Sequence, residues 1–329
     1  MILKHRHNSF SSVLTGIVFF VCIIQLSAAE IKPWTLKSLD SLVYANPTYA
    51  ITIIDKQSNE AKEIQDNLSL GRYAYLKAKA FWKMDKLEES AFENIECAHI
   101  LIAKQVDDKD QIARCYYNAA DNYYQLGLYD LSIDLLHKAL NYIDHDKSID
   151  VAAFVYSLLT EVYMNQGNYE KALIYVDSTL TIDRMFNDTL YIVEGLCQLG
   201  RINSLIGRKD EAFQLLDEAK SFMIGRENTS EYSMLLNARG LAYSNLGDCD
   251  NALDYVHQAL DLSQQLEDSI LTMNRFTNLG MVYNKCEKYE EAEQYLSNAI
   301  ALQLDMENPK RITILNQNLG DVYLSLIHI

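Results

Sequence analysis

Proline and glycine are scarce, with three prolines and 12 glycines in 329 residues. That scarcity excludes a sheet-rich architecture and long flexible linkers, which place these residues at turns and breaks. Long apolar runs are scarce too. One stands out, Val13 to Leu26, and its 14 residues fall short of the roughly 18–20 that cross a bilayer as a helix. A basic stretch (Lys4, His5, Arg6, His7) precedes it, and the small residues Ser27, Ala28 and Ala29 follow, before Glu30. This is the layout of a secretory signal peptide. Cleavage is expected after Ala29, giving an exported chain, periplasmic or secreted; an uncleaved anchor is the alternative. Phe20 and Val21 do not suit lipid modification at Cys22.

Positive charge is in deficit. The chain carries 29 Lys and Arg against 45 Asp and Glu, and loss of Lys4 and Arg6 with the leader leaves 27 basic side chains, a formal −18. Such a surface repels phosphate backbones, so no nucleic acid is expected to bind this segment. Motifs for chemistry are also missing: there is no G-x-G-x-x-G, G-x-x-x-x-G-K, H-E-x-x-H or G-x-S-x-G. No catalytic residue, metal ligand or cofactor is assigned, and the chain reads as a non-enzyme. His137 and His257 recur at one repeat position and read as equivalent surface residues, and lone histidines such as these, His99 and His145 read as structural or solvated, not as ligands of one site. Five cysteines follow the leader: Cys97, Cys115, Cys197, Cys249 and Cys286. Their odd number and irregular spacing signal neither a disulfide framework nor a zinc site, and most are expected to be small buried apolar residues.

What the chain does have is a period. Gly200, Gly240, Gly280 and Gly320 stand 40 residues apart, and Gly127, Gly167, Gly207 and Gly247 form a second ladder with the same period. The first ladder continues backwards through Thr160 and Ala120. Three residues after each small position comes Tyr123, Tyr163, Tyr243, Tyr283 or Tyr323, with Asn203 as the exception. Further on come Ser132, Ala172, Ala212, Ala252 and Ala292, and later Ala139, Thr179, Ala219, Ala259 and Ala299. Glycine inside a helix costs about 0.8–1 kcal/mol relative to alanine, so Gly200, Gly240 and Gly280 require a close helix crossing to compensate. The second ladder fits the ends of first helices, where a left-handed residue is wanted. Asp130, Glu170, Asp210, Asp250 and Glu290 then open the second helices, where the helix dipole favours acids. Cys249 and Cys286 fall near inter-helix turns of neighbouring repeats, and their pairing is left open.

The pattern L-G-x-x-Y followed by G-x-Y-x-x-A and a further A resembles the tetratricopeptide repeat. It is plainest in Leu279-Gly280-Met281-Val282-Tyr283 with Tyr289, Ala292 and Ala299. The period exceeds the usual one of about 34, and resembles the long-helix variety of bacterial regulators and peptide-sensing receptors. The resemblance implies an all-α fold, a right-handed α-solenoid of stacked antiparallel helix pairs. The expected organisation is a signal peptide over 1–29, a degenerate N-terminal capping repeat over 30–70 with a break at Asn46-Pro47, an array over 71–323, and a non-native tail over 324–329. That tail, Leu324-Ser325-Leu326-Ile327-His328-Ile329, resembles a translated sequencing adapter, and the array halts in mid-repeat, so a truncated fragment is expected.

In arrays of this family the first helices line the concave face. Positions that would point inward are Tyr117, Asn118, Asp121, Glu161 and Gln198, then Arg201, Asn237, Asn274 and Asn278. Carboxamides both donate and accept, so a row of them can pair with the backbone of an extended peptide. Polar side chains on an exposed helix face need no ligand, which is the plainer reading. A lysine-rich carboxylate clamp is not evident, because Asp121 and Glu161 stand where positive charge would be needed. The resemblance implies a protein- or peptide-binding scaffold, the sensor part of a membrane-spanning regulator of histidine-kinase or DNA-binding type. A free periplasmic adaptor for envelope assembly and the targeting module of an enzyme are the alternatives.

Overall fold

A computed structural model describes residues 34–143, 149–305 and 319–320. The leader expected over 1–29, the tail over 324–329, and all of the last half-repeat except Leu319 and Gly320 lie outside them. The described residues are helical apart from turns, with no strand among them. They belong to two compact units, residues 1–108 and 109–329, so the division falls inside the span expected to be one array.

The first unit contains α1 (Leu36–Ala45), α2 (Pro47–Glu63), α3 (Asn67–Lys83) and α4 (Leu87–Ala103). Thr35 opens α1 by accepting from the Ser38 amide, and Asn46 opens α2 by accepting from that of Tyr49. Pro47 follows at the first helical position, where its missing N–H costs nothing. Leu39 and Val43 of α1 pack with Ala50 and Ile54 of α2 and with Leu76 and Ala80 of α3.

The second unit contains five antiparallel pairs. They are α5 (Lys109–Gln125) with α6 (Tyr129–Leu140), α7 (Ile149–Asn165) with α8 (Tyr169–Phe186), α9 (Thr189–Leu205) with α10 (Lys209–Phe222), α11 (Ser230–Asn245) with α12 (Cys249–Gln265), and α13 (Ser269–Lys285) with α14 (Tyr289–Asp305). Gly200, Gly240 and Gly280 are buried where each first helix crosses its own second helix. A Cβ on Gly280 would lie 2.5 Å from Leu296 Cγ and 3.2 Å from the Ala292 carbonyl oxygen. The alanine ladder Ala172, Ala212, Ala252 and Ala292 is fully buried on the other side of those crossings. Around them the repeat's tyrosines stack in pairs: Tyr163 on Tyr175 at 5.7 Å, Tyr243 on Tyr255 at 5.5 Å, and Tyr283 on Tyr295 at 5.2 Å between ring centroids. Each such stack contributes about 0.5–1.5 kcal/mol beyond the area it buries.

The second glycine ladder does different work. Gly247 has φ +83° with open space around it, and its amide closes the helix end on Ser244. One period later Glu287 adopts the same left-handed conformation, φ +59°, with a side chain. Next to it, Cys286 at the end of α13 is bonded to Cys249 at the start of α12, with Cα atoms 5.8 Å apart, tying successive pairs together. These two cysteines, whose pairing the sequence leaves open, are half-buried and paired. Cys197 is the small buried residue expected of most of the five: a free thiol whose pKa burial pushes up to about 12.

Candidate peptide-binding face

On every first helix of the second unit, the residues six, three and two before the small position and one, four and five after it share a stripe about 120° wide. The nine expected surface residues all lie on this stripe. Tyr117, Asn118 and Asp121 stand on α5, Glu161 on α7, Gln198 and Arg201 on α9, Asn237 on α11, and Asn274 and Asn278 on α13. Eight are half-buried, while Asn237 is only 7% exposed. Its carboxamide is engaged within the fold: Asn278 Nδ2 donates to Asn237 Oδ1 at 2.9 Å.

That bond is one rung of a polar ladder joining successive first helices. Asn165 Nδ2 donates to the Tyr124 hydroxyl at 3.0 Å, Asn245 Nδ2 to Ser204 Oγ at 3.0 Å, and Lys285 Nζ to Asn245 Oδ1 at 3.1 Å. One turn from the Asn278 rung, Arg275 Nε donates to Ser233 Oγ at 3.1 Å. The ladder residues Tyr124, Asn165, Ser204, Asn245, Arg275 and Lys285 were missed in the sequence. A signal existed, because Asn165, Asn245 and Lys285 each stand five residues after the small position.

Charge on the stripe changes sign along the stack. Around α5 and α7 it is acidic, with Asp121 and Glu161, and the one cation, Arg114, is held by Asp110 at 2.8 Å and Asp150 at 2.6 Å. Tyr117, in ring contact with Phe154 at 5.9 Å, has its hydroxyl pKa pushed up to about 12 by burial and then by Asp121. Burial and then Glu161 raise Tyr124 to about 12. Glu194 on α9 is raised by burial, then by Asp183 and Glu161. Beyond Glu194, the stripe positions of α9, α11 and α13 hold no acid but carry Arg201 and Lys285. Beside the stripe, Arg275 is a cation only 5% exposed, whose guanidinium burial pulls down to about 10.

His257 differs from its expected place at the surface: it is half-buried, and its Nε2 lies 2.8 Å from the Tyr283 hydroxyl. His137, its counterpart, is exposed. Among the described residues no group of three or more His, Cys, Asp or Glu side chains is placed to hold a metal ion.

Comparison with known proteins agrees with this fold. Two family models, each described as tetratricopeptide repeat, match residues 231–305 and 113–144. A curated relative, the mitochondrial tetratricopeptide repeat protein 19 homolog of Drosophila melanogaster, is 23% identical over 214 residues, covering 60% of this chain and 57% of that protein. The chain thus spans little more than half the length of that relative. Among solved structures, aspartyl phosphate phosphatase F from Bacillus subtilis matches with a TM-score of 0.61 at 13% identity, covering 82% of this chain and 71% of that one. The apo form of RapI matches with a TM-score of 0.51 at 16% identity, covering 76% and 90%. Residues 113–144 and 231–305 thus match the tetratricopeptide-repeat family, and the fold is all-α and of the solenoid class. The fold is typically a non-catalytic scaffold that acts through protein–protein interaction.

Proposed function

We propose that the first-helix face of the second unit binds an extended segment of a protein partner, and that the chain works outside the cytoplasm as the sensing part of a membrane-spanning regulator. The observation that carries the binding reading is the ladder itself. Carboxamides on α9, α11 and α13 share one stripe, with Gln198, Asn245, Asn274 and Asn278 half-buried there, and such groups can both donate to and accept from a peptide backbone. Two features support export: the leader-like N-terminus, and the Cys249–Cys286 bridge, since disulfides persist in oxidising compartments and are rare in reducing ones. The sensor role rests on the resemblance of long-helix repeats behind a leader to regulators of histidine-kinase or DNA-binding type.

Two experiments test this. A photo-crosslinking residue at Asn274 should trap a protein partner in the producing cell, whereas one at the exposed His137 on α6 should not. Equal trapping from both positions would show that the face is not the working surface. Cell fractionation with N-terminal sequencing should find the chain outside the cytoplasm and beginning at Glu30. Recovery in the cytoplasm with the leader intact would remove the export half.

A further inference from the structure

The stripe is polar in a second sense, because its charge is sorted. At its α5–α7 end, the acids Asp121 and Glu161 stand beside an Arg114 already neutralised by two carboxylates. Glu161 and Glu194 have no ion-pair partner among the described residues. At the other end, Arg201 and Lys285 likewise lack an acid within ion-pair distance among the described residues. Arg275 lies beside the stripe and not on it: it is 95% out of solvent, its Nε donates to the Ser233 hydroxyl, and the charge of Asp268 acts on it. The sign changes within α9, between Glu194 and Arg201, two helical turns or about 10 Å apart.

Resting on the peptide-binding reading above, we infer that this face selects an extended peptide whose own charges are segregated, with basic residues laid over α7 and the start of α9 and acidic residues over the end of α9 and α13. Neighbouring helices pack about 8–10 Å apart, so α7 to α13 spans roughly 25–30 Å. At about 3.3 Å per residue, an extended segment of eight or nine residues covers it. Each end then supplies the counter-charge that the fold leaves out, and the carboxamide ladder between them holds the backbone. A partner of one sign throughout is repelled at one end, so segregation is a matter of specificity as well as affinity.

The test uses the full chain and synthetic peptides of about 12 residues with equal numbers of lysine and glutamate, arranged either in two blocks or alternating. All peptides have the same composition, and the two-block peptide is made in both orders, lysines first and glutamates first, because its charges fix the direction in which each order can lie. By fluorescence anisotropy at low salt, the block peptide is expected to bind at least about tenfold tighter than the alternating one. The gap should close as salt shortens the screening length to about 8 Å and below. Glu161→Gln and Arg201→Gln, both on half-exposed positions, should each reduce block-peptide affinity severalfold and leave the alternating peptide unchanged, with helicity intact by circular dichroism. Equal affinity for the two arrangements, or a preference that survives both substitutions, overturns the inference. If the arrangements bind equally while the Asn274 crosslink still captures a partner, charge selection falls and peptide binding stands. If neither peptide binds and Asn274 captures nothing, both fall.

Discussion

Alanine at position 240 is the sharpest test of what holds the helix pairs together. In a solvated helix, Gly→Ala stabilises by about 0.8–1 kcal/mol. In this fold the new Cβ collides with Val256 Cγ2 and lies 3.0 Å from the Ala252 carbonyl oxygen and 3.1 Å from the Val256 amide nitrogen. The methyl of Val256 can turn away; the backbone of α12 cannot without moving the helix. Overpacking of this kind costs about 1–3 kcal/mol, so Gly240→Ala should lose up to about 2 kcal/mol net, and Gly240→Leu clearly more. Val256→Ala alone leaves a cavity and also destabilises. Combined, the two should be less damaging than their sum by about 1 kcal/mol, because the truncated side chain makes room for the added one. Urea denaturation followed by far-ultraviolet circular dichroism reads all four corners of this cycle. Gly247→Ala is the control: nothing lies within 4 Å of its Cβ, and its cost of about 1–2 kcal/mol comes from the left-handed backbone, so Val256→Ala should not relieve it. A Gly240→Ala protein more stable than the parent, or a strictly additive cycle, would refute the close-crossing account.

Three further outcomes are expected of the same fold. Glu287→Gly should stabilise by up to about 1 kcal/mol, because residue 287 sits at φ +59° with a side chain; an unchanged urea midpoint would show the strain is absent. Replacing Cys249 and Cys286 together by serine should cost about 3–4 kcal/mol at most, from the 37-residue separation the bridge closes, and a melting temperature equal to the parent's would show that the bridge constrains nothing. Asp183, 9% exposed, is raised from 3.8 to about 6 by burial and then by Asp188. The native state therefore holds its proton more tightly than the unfolded chain, so stability contributed by this group is present below about pH 4 and lost as pH rises through about 6. Asp183→Asn should raise stability at pH 7 by about 2–3 kcal/mol and flatten the slope between those values; a slope as steep as the parent's would exclude Asp183 as its source.

The helix pairs were legible because their physical requirements recur. A crossing that admits no Cβ and a turn that needs a positive φ each demand glycine, and 40-residue spacing exposes both in the bare sequence. Where a requirement is met without its usual residue, the signal fades: Glu287 keeps the turn without the glycine, and the first unit turns at Gln65, Asp85 and Gln105 with none. Candidate surface residues were legible as a stripe but not as a network. Nothing in the spacing says that Asn237 is spent on Asn278, that His257 meets Tyr283, or that Arg275 is buried against Ser233, since these depend on how far one layer is turned against the next. The Cys249–Cys286 bridge lay between the two cases, because the turns that hold it were visible and their separation was not.

The ladder has one missing step. Leu205 stands where other first helices carry Asn165, Asn245 or Lys285, and among the described residues no hydrogen bond or ion pair joins α7 to α9. Load placed on the second unit will therefore be borne unevenly. Among the described residues the α7–α9 joint is the one between first helices held without a polar fastening, with Glu161 and Arg201 at matching places on either side. A molecule that straddles it would act as a splint, turning occupancy into stiffness.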